Sequence, residues 1–205
     1  MGNSGIDLVL FDLGGVLFDP GGVAPMRALA GINNDEELWR RWLSCPWVRA
    51  FERGQCSNEA FAAGVVDDWH LDIEPAAFLE AFAGWPRGPY PGAEELLTAT
   101  RQVVAVGCLS NTSGLHWAAH FGRWSVLEEL DFRFLSFELG LVKPDREIFD
   151  AVAGRLDTPA ERVLFIDDNQ VNVDGAASVG FRARRAQGVE EAGALLHSLG
   201  VLPGR

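Results

Sequence analysis

Five short apolar runs, rich in Val, Ile and Phe, recur along the chain: Ile6–Asp12, Val103–Ser110, Phe132–Phe137, Val163–Asp168 and Phe181–Ala186. Their length and their β-branched and aromatic content predict strands. Between the later runs the apolar positions fall at helical spacing instead, over Ala93–Ala99, Leu115–Leu130, Glu147–Leu156 and Val189–Leu199. Strand and helix in alternation imply right-handed crossovers. The expected fold is therefore α/β, a Rossmann-like, mostly parallel sheet with helices on both faces.

The first interval breaks this rhythm. From Pro20 to Arg87 there is no strand pattern, and helical patterns at Asp35–Leu43, Asn58–Trp69 and Pro75–Phe82 take its place. Pro86, Pro89 and Pro91 then punctuate the return. Residues 1–18 and 88–205 are expected to form the α/β core, and residues 19–87 an inserted helical unit.

Composition narrows the setting. Hydrophobic residues make up 48% of the 205 positions and charged residues 22%, the balance of a soluble globular chain. A net charge of −12 disfavours nucleic acid and anionic membranes as partners. An anionic substrate would then need local positive charge, such as a metal ion. Cys45, Cys56 and Cys108 are too few and too scattered for a disulfide framework or a zinc site. With neither a signal-like N-terminus nor an apolar run near the ~20 residues of a membrane span, a cytoplasmic location is expected.

In an open parallel sheet, ligands gather beyond the carboxyl ends of the strands. The first predicted strand stops at Asp12, the second at Ser110-Asn111-Thr112, and the fourth at Asp167-Asp168-Asn169. Leu141-Val142-Lys143-Pro144-Asp145 should open a helix, with Pro144 suited to its first position. Singly, each feature is an ordinary turn or cap. Jointly, three carboxylates, a hydroxyl, an amide and a lysine converge on one crevice. Clustered carboxylates repel one another unless compensated. Mg²⁺ together with Lys143 would supply three positive charges against three negative ones, with the hard oxygen donors that Mg²⁺ prefers. The constellation fits phosphoryl transfer.

At these residues the chain resembles the haloacid dehalogenase-like superfamily. Phe11-Asp12-Leu13-Gly14-Gly15-Val16-Leu17 is similar to its first motif and Leu109-Ser110-Asn111-Thr112 to its second. Lys143-Pro144 resembles the third, and Phe165-Ile166-Asp167-Asp168-Asn169, with Asn172 and Gly175-Ala176, the fourth. The insertion after the first motif is where the family places a helical cap. Glu52-Arg53-Gly54, followed by Glu59-Ala60-Phe61, resembles the branch of bacterial glucose-1-phosphate phosphatases. The resemblance implies a Mg²⁺-dependent phosphomonoester hydrolase acting on a small phosphorylated metabolite, such as a sugar phosphate. It makes Asp12 the nucleophile that forms an aspartyl-phosphate. It assigns Mg²⁺ to Asp12, the Gly14 backbone carbonyl and Asp168, with Asp167 close by. Ser110 and the Asn111 backbone would bind phosphate, Lys143 would neutralise nucleophile and phosphate, and Asn169 and Asn172 would order their loop.

Gly14 departs from the family pattern, which usually has there a second Asp that protonates the leaving oxygen and activates water. A left-handed backbone is another use for a glycine at that position. Two other readings stay open: a metal-free 2-haloacid dehalogenase, and a phosphometabolite-binding protein with little turnover. The dehalogenases carry small neutral residues where this chain has Asp167-Asp168. If a proton carrier replaces the missing Asp, Asp19 or a cap side chain is the place to find it. Trp39, Trp42 and Trp47 could stack on a sugar, but aromatics at helical spacing are more often core, and Arg40, Arg41 and Arg49 either contact substrate or are only solvated. A histidine on a helix face, such as His116, is usually structural.

Overall fold

The computed structural model describes residues 4–203. The elements run β1 (Leu8–Phe11), β2 (Phe18–Asp19), α1 (Val23–Ala30), α2 (Asp35–Ser44), α3 (Pro46–Glu52), α4 (Asn58–Trp69), α5 (Pro75–Ala83) and β3 (Gly88–Pro89). They continue with α6 (Ala93–Arg101), β4 (Ala105–Ser110), α7 (Gly114–Ala119), β5 (Phe132–Leu135), α8 (Ser136–Leu139) and α9 (Arg146–Ala153). Last come β6 (Val163–Asp167), α10 (Gln170–Ala177), β7 (Arg182–Arg185) and α11 (Gly188–Ser198).

All five predicted strands join one parallel sheet in the order β5-β4-β1-β6-β7. The two-residue strands β2 and β3 pair antiparallel where the chain leaves and re-enters this core. The side-chain alternation of β1 shows why both faces are covered. Val9 and Phe11 join a cluster with Leu97, Ala192 and Leu196 from α6 and α11. Leu8 and Leu10 point the other way, into a cluster with Ile148, Phe149 and Val173 from α9 and α10. A strand buried on both faces reads as a continuous apolar run, as this one does.

Helices α1 to α5 bury their apolar faces mainly against one another, in a third cluster. Its centre is aromatic: Phe51 stacks on Phe61 at 4.1 Å, and Phe82 packs against Phe61 at 4.8 Å. Side chains mark the helix starts, as when Asn34 accepts from the Glu37 N–H ahead of α2 and Ser57 from the Ala60 N–H ahead of α4.

Several expected elements differ. The helix expected over Leu115–Leu130 ends at Ala119 and continues as two 3₁₀ turns, Phe121–Arg123 and Ser125–Glu129. Phe121 and Val126 are both buried, yet five residues apart they would lie about 140° apart around a continuous helix. Breaking the helix lets both face the core. Pro144 does not open a helix: it follows a cis peptide bond after Lys143, and α9 begins at Arg146 with Asp145 at its N-cap. Helix α10 carried no clear periodic signal, since Val171, Asn172, Val173 and Gly175 are poor helix formers. Gly175 is there for closeness, because a Cβ would come within 2.8 Å of the Pro144 carbonyl. Helices α1 and α3 went unread because each is short and holds a proline.

Phe61→Ala should cost about 3–5 kcal/mol of stability, the usual range for emptying a buried aromatic site. Urea denaturation measures it, and a loss below about 1 kcal/mol would show that the aromatic stack carries little of the fold.

Candidate active site

Strands β4 and β6 flank β1, so their carboxyl ends bring Ser110, Asp12 and Asp167 side by side. The Asp12 N–H donates to the Ile166 carbonyl at 2.8 Å, which continues the β1 ladder one residue beyond the strand. Lys143 enters from the loop before α9 and is 1% exposed. Its ammonium donates to the Leu109 carbonyl at 3.0 Å and to Asp167 Oδ2 at 2.6 Å, and it pairs with Asp12 Oδ2 at 3.1 Å. Those three partners engage all three of its protons. The Asn111 amide fixes the backbone of the same lysine, accepting from its N–H at 2.9 Å and donating to its carbonyl at 3.0 Å. Asn111 therefore positions Lys143 with its side chain.

Asp12, Asp167 and Asp168 each offer a carboxylate oxygen, all within 4.8 Å of one another. The Asp167 carboxylate is already engaged by Lys143, by the Asn169 N–H at 2.8 Å and by Asn172 Nδ2 at 3.0 Å. Asn169 also caps α10, accepting from the Val171 N–H. Burial pushes the Asp12 carboxyl well above the usual carboxylate range, with Lys143 opposing the shift and Asp167 and Asp168 adding to it. Burial, reinforced by the Asp167 charge, likewise raises Asp168 to about 6. Burial alone would lower the Lys143 ammonium, but Asp12 and Asp167 outweigh it and hold the group above its ordinary value. The cluster sets one cation, Lys143, against three carboxylates and offers hard oxygen donors, and the buried Asn172 Oδ1 beside it has no partner. These are the properties of a site that fits Mg²⁺.

The glycines divide differently from the expectation. Gly14 does not adopt a left-handed backbone; Gly15 does, with φ +78°, and a Cβ there would overlap the Asp168 carboxylate. A Cβ at Gly14 would meet only Pro20 Cβ, at 3.8 Å. Glycine at position 14 is thus not required by space.

A cavity of about 160 Å³ opens above these residues. Asp12, Gly14, Ser110, Asn111, Lys143 and Asp168 line its floor, and Trp42, Phe51, Glu52, Phe82 and Trp85 belong to its walls. The Ser110 hydroxyl makes only a 3.5 Å contact with the Asn111 carbonyl, and the buried Thr112 Oγ1 has no partner at all. Both are donors placed at the floor. His116 also lines the cavity, but its Nε2–H donates to the Phe82 carbonyl at 2.8 Å and burial lowers it to about 4, so it is neutral.

Glu52 is the site residue that sequence reasoning passed over. It stood in Glu52-Arg53-Gly54, read only as a mark of kinship. Glu52 lines the cavity, and its carboxyl is pushed up to about 7 by burial, although Trp42, Lys143, Arg49 and Asn111 all favour its charged form. Asp19 is elsewhere, accepting from the Gly21 N–H and paired with Arg87. Trp39 and Trp42 line the cavity, whereas Trp47 lies over Gly64. Arg49 joins Arg53 on Asp145 at 2.5 and 2.7 Å, and Arg41 stacks over Trp69.

The described part of the chain has no helix long and apolar enough to cross a membrane. The chain is 28% identical over 128 residues to pyrimidine 5'-nucleotidase YjjG of Escherichia coli, covering 60% of this chain and 56% of that protein. It thus spans little more than half of that relative. It is 30% identical over 188 residues to phosphatase MT3486 of Mycobacterium tuberculosis, covering 87% of this chain and 86% of that one. Among solved structures, a magnesium complex of the HAD family enzyme bt-2542 of Bacteroides thetaiotaomicron superposes with a TM-score of 0.67 at 23% identity, covering 89% and 94% of the two chains. L-2-haloacid dehalogenase of Xanthobacter autotrophicus superposes with a TM-score of 0.61 at 26% identity, covering 88% and 77%. With its residues 6–180 matched by the model of the haloacid dehalogenase-like hydrolases, the chain belongs to that family of enzymes.

Proposed function

We propose that this hydrolase is a Mg²⁺-dependent phosphomonoesterase that works through an aspartyl-phosphate on Asp12. The observation that supports it best is the buried Lys143 ammonium lying between Asp12 and Asp167, with Asp168 beside them. Paired acids at positions 167 and 168 suit a cation and would obstruct a metal-free displacement of halide. The two named relatives are a phosphatase and a nucleotidase, both acting on phosphate esters by name.

In this reading Asp12 attacks phosphorus while Lys143 favours the ionised form of the nucleophile and offsets charge on the phosphoryl oxygens. Ser110, the Asn111 backbone and the Thr112 hydroxyl receive those oxygens. Asp12, Asp168 and the Gly14 carbonyl would hold Mg²⁺, and Asp167, already engaged by Lys143 and Asn172, would act beside them. When bound, the ion would balance the carboxylates and draw charge from the phosphate. Helices α1 to α5, within residues 19–87, serve as the cap that closes the cavity and chooses the substrate. Gly14 cannot carry a proton, and Glu52 takes that role from the cap side of the cavity. It protonates the leaving oxygen and then activates water against the aspartyl-phosphate. A haloacid dehalogenase remains the second reading, favoured by Gly14 and by the apolar cavity walls. Halide release from 2-chloropropionate in EDTA would establish it.

Asp12→Asn should abolish phosphate release from p-nitrophenyl phosphate while circular dichroism and melting stay those of a folded protein. Near-normal turnover in that variant would end the covalent reading. EDTA should silence the wild type and Mg²⁺ restore it.

Metal binding has a readout separate from activity. Asp168 titrates higher in the folded than in the unfolded chain, so in EDTA it subtracts stability as pH rises from about 4 to about 6. Asp168→Asn should therefore raise the melting temperature at pH 7.5 without metal, and give no gain near pH 4. Mg²⁺ should raise the melting temperature of the wild type and leave that of Asp168→Asn nearly unchanged. A Mg²⁺ shift of equal size in both proteins would remove Asp168 from the metal site.

p-Nitrophenolate leaves without a proton, so with its ester only the base role of Glu52 matters. The steady-state rate should then rise with pH through about 7, as Glu52 ionises. Glu52→Gln should flatten that limb, lower the rate ~10²–10⁴-fold and reveal a pre-steady-state burst of nitrophenolate. Adding Gly14→Asp, for which there is room, should recover part of the loss. A burst already present in the wild type would mean that Glu52 does not serve the second step.

A further inference from the structure

The cavity has two chemically different halves. Its floor carries the charged groups, and its walls come mostly from the cap: Val23, Met26, Trp39, Trp42, Phe82 and Trp85. Apart from Glu52 and the indole N–H groups, the polar side chains near that wall are engaged within the protein. Trp42 and Asn111 lie beside Glu52 and favour its charged form. The His116 Nε2–H is held by the Phe82 carbonyl, and its ring stacks on Phe82 at 4.2 Å. Arg49 and Arg53, the cations of the nearest cap helix, are both held by Asp145, whose carboxyl they keep below its usual value against the effect of burial.

A sugar pressed against this wall would lose water from most of its hydroxyls and find few partners there, at the cost of leaving buried polar groups unpaired. An apolar body would instead remove its own surface and that of the wall from water. The wall is also fixed in place, since Trp42 packs against Phe82 at 6.1 Å and Trp85 at 6.4 Å. Little reorganisation is needed on binding. The whole cavity, charged floor included, measures about 160 Å³, close to the ~150 Å³ that holds one benzene ring, so the body of the substrate must be small.

We infer that the substrate is the phosphate monoester of a small apolar alcohol, with an aromatic or short branched-alkyl body seated against Trp39, Trp42 and Phe82. This rests on the phosphatase reading for the floor and differs from the sugar phosphate expected from the sequence, which the test below sets against it. The alcohol oxygen then leaves as an alkoxide that needs a proton, which Glu52 supplies as the P–O bond breaks.

The test pairs binding with turnover. Titration calorimetry in Mg²⁺ buffer compares benzylphosphonate with methylphosphonate, which share a head group and cannot be hydrolysed. Benzylphosphonate should bind at least about tenfold more tightly, the factor expected for burying a ring of that size. Trp39→Ala, which truncates a half-buried side chain at the mouth, should shrink the preference severalfold. Benzyl phosphate should also exceed glucose 1-phosphate and uridine 5'-monophosphate in kcat/KM by tenfold or more. Equal or undetectable phosphonate binding, a preference unchanged in Trp39→Ala, or a higher kcat/KM for the sugar or the nucleotide overturns the inference. In the last case the phosphatase reading survives. A strong benzylphosphonate preference with no hydrolysis of any monoester does the reverse, keeping the apolar site and removing the phosphatase.

Discussion

The constraint on which the rest depends is a single ammonium, that of Lys143, buried between two carboxylates. A buried charge is tolerable only when paired and hydrogen-bonded. Lys143 meets that condition with Asp12, Asp167 and the Leu109 carbonyl, three groups from the ends of three adjacent strands. The arrangement therefore needs β4, β1 and β6 to be neighbours in register. It also needs the loop carrying Lys143 to be held down, which the Asn111 amide does from the β4 side. Sheet order, loop position and reactive charge become one requirement.

Much of this could be read from the sequence, for a physical reason. Strands buried on both faces must be apolar throughout, so their ends are abrupt and their terminal polar residues stand out. Asp12, Ser110 and Asp167 were found in that way. What was hidden depends on distant neighbours. The 3₁₀ turns after α7 exist so that Phe121 and Val126 can face one core. Helix α10 forms from weak helix formers because Gly175 lets it approach Phe149 and the Pro144 carbonyl. No local pattern distinguishes Gly14 from Gly15. Only the position of the Asp168 carboxylate shows that the left-handed turn and the obligatory absence of a side chain belong to Gly15.

The helical unit of α1 to α5 illustrates the same limit at the level of chemistry. Its arginines and tryptophans were candidates for binding substrate because both residue types often do so. The folded chain sorts them by what else they touch. Arg49 and Arg53 hold Asp145 and so tie α3 to the core ahead of α9. His120 and His116 donate to the carbonyls of Ala83 and Phe82, and tie α7 to the end of α5. These polar contacts thus fasten the helical unit down, while several of its aromatic rings are left to line the cavity. Glu52 is the exception, a carboxyl kept inside.

That exception bears on why position 14 is glycine although a side chain would fit. Asp12, Asp167 and Asp168 already outnumber Lys143, and burial raises two of them above the usual range. A fourth carboxylate two residues from Asp12 would add to that repulsion and raise the Asp12 pKa further, against its use as a nucleophile. Glu52 places the extra carboxyl across the cavity, where Lys143, Arg49 and Asn111 all favour its charged form while burial holds it near neutrality. A group that titrates near 7 can give and take a proton at the same pH, which is what two successive proton transfers require. In the proposed mechanism, moving the acid from the floor to the opposite wall separates the charge that attacks from the proton that follows.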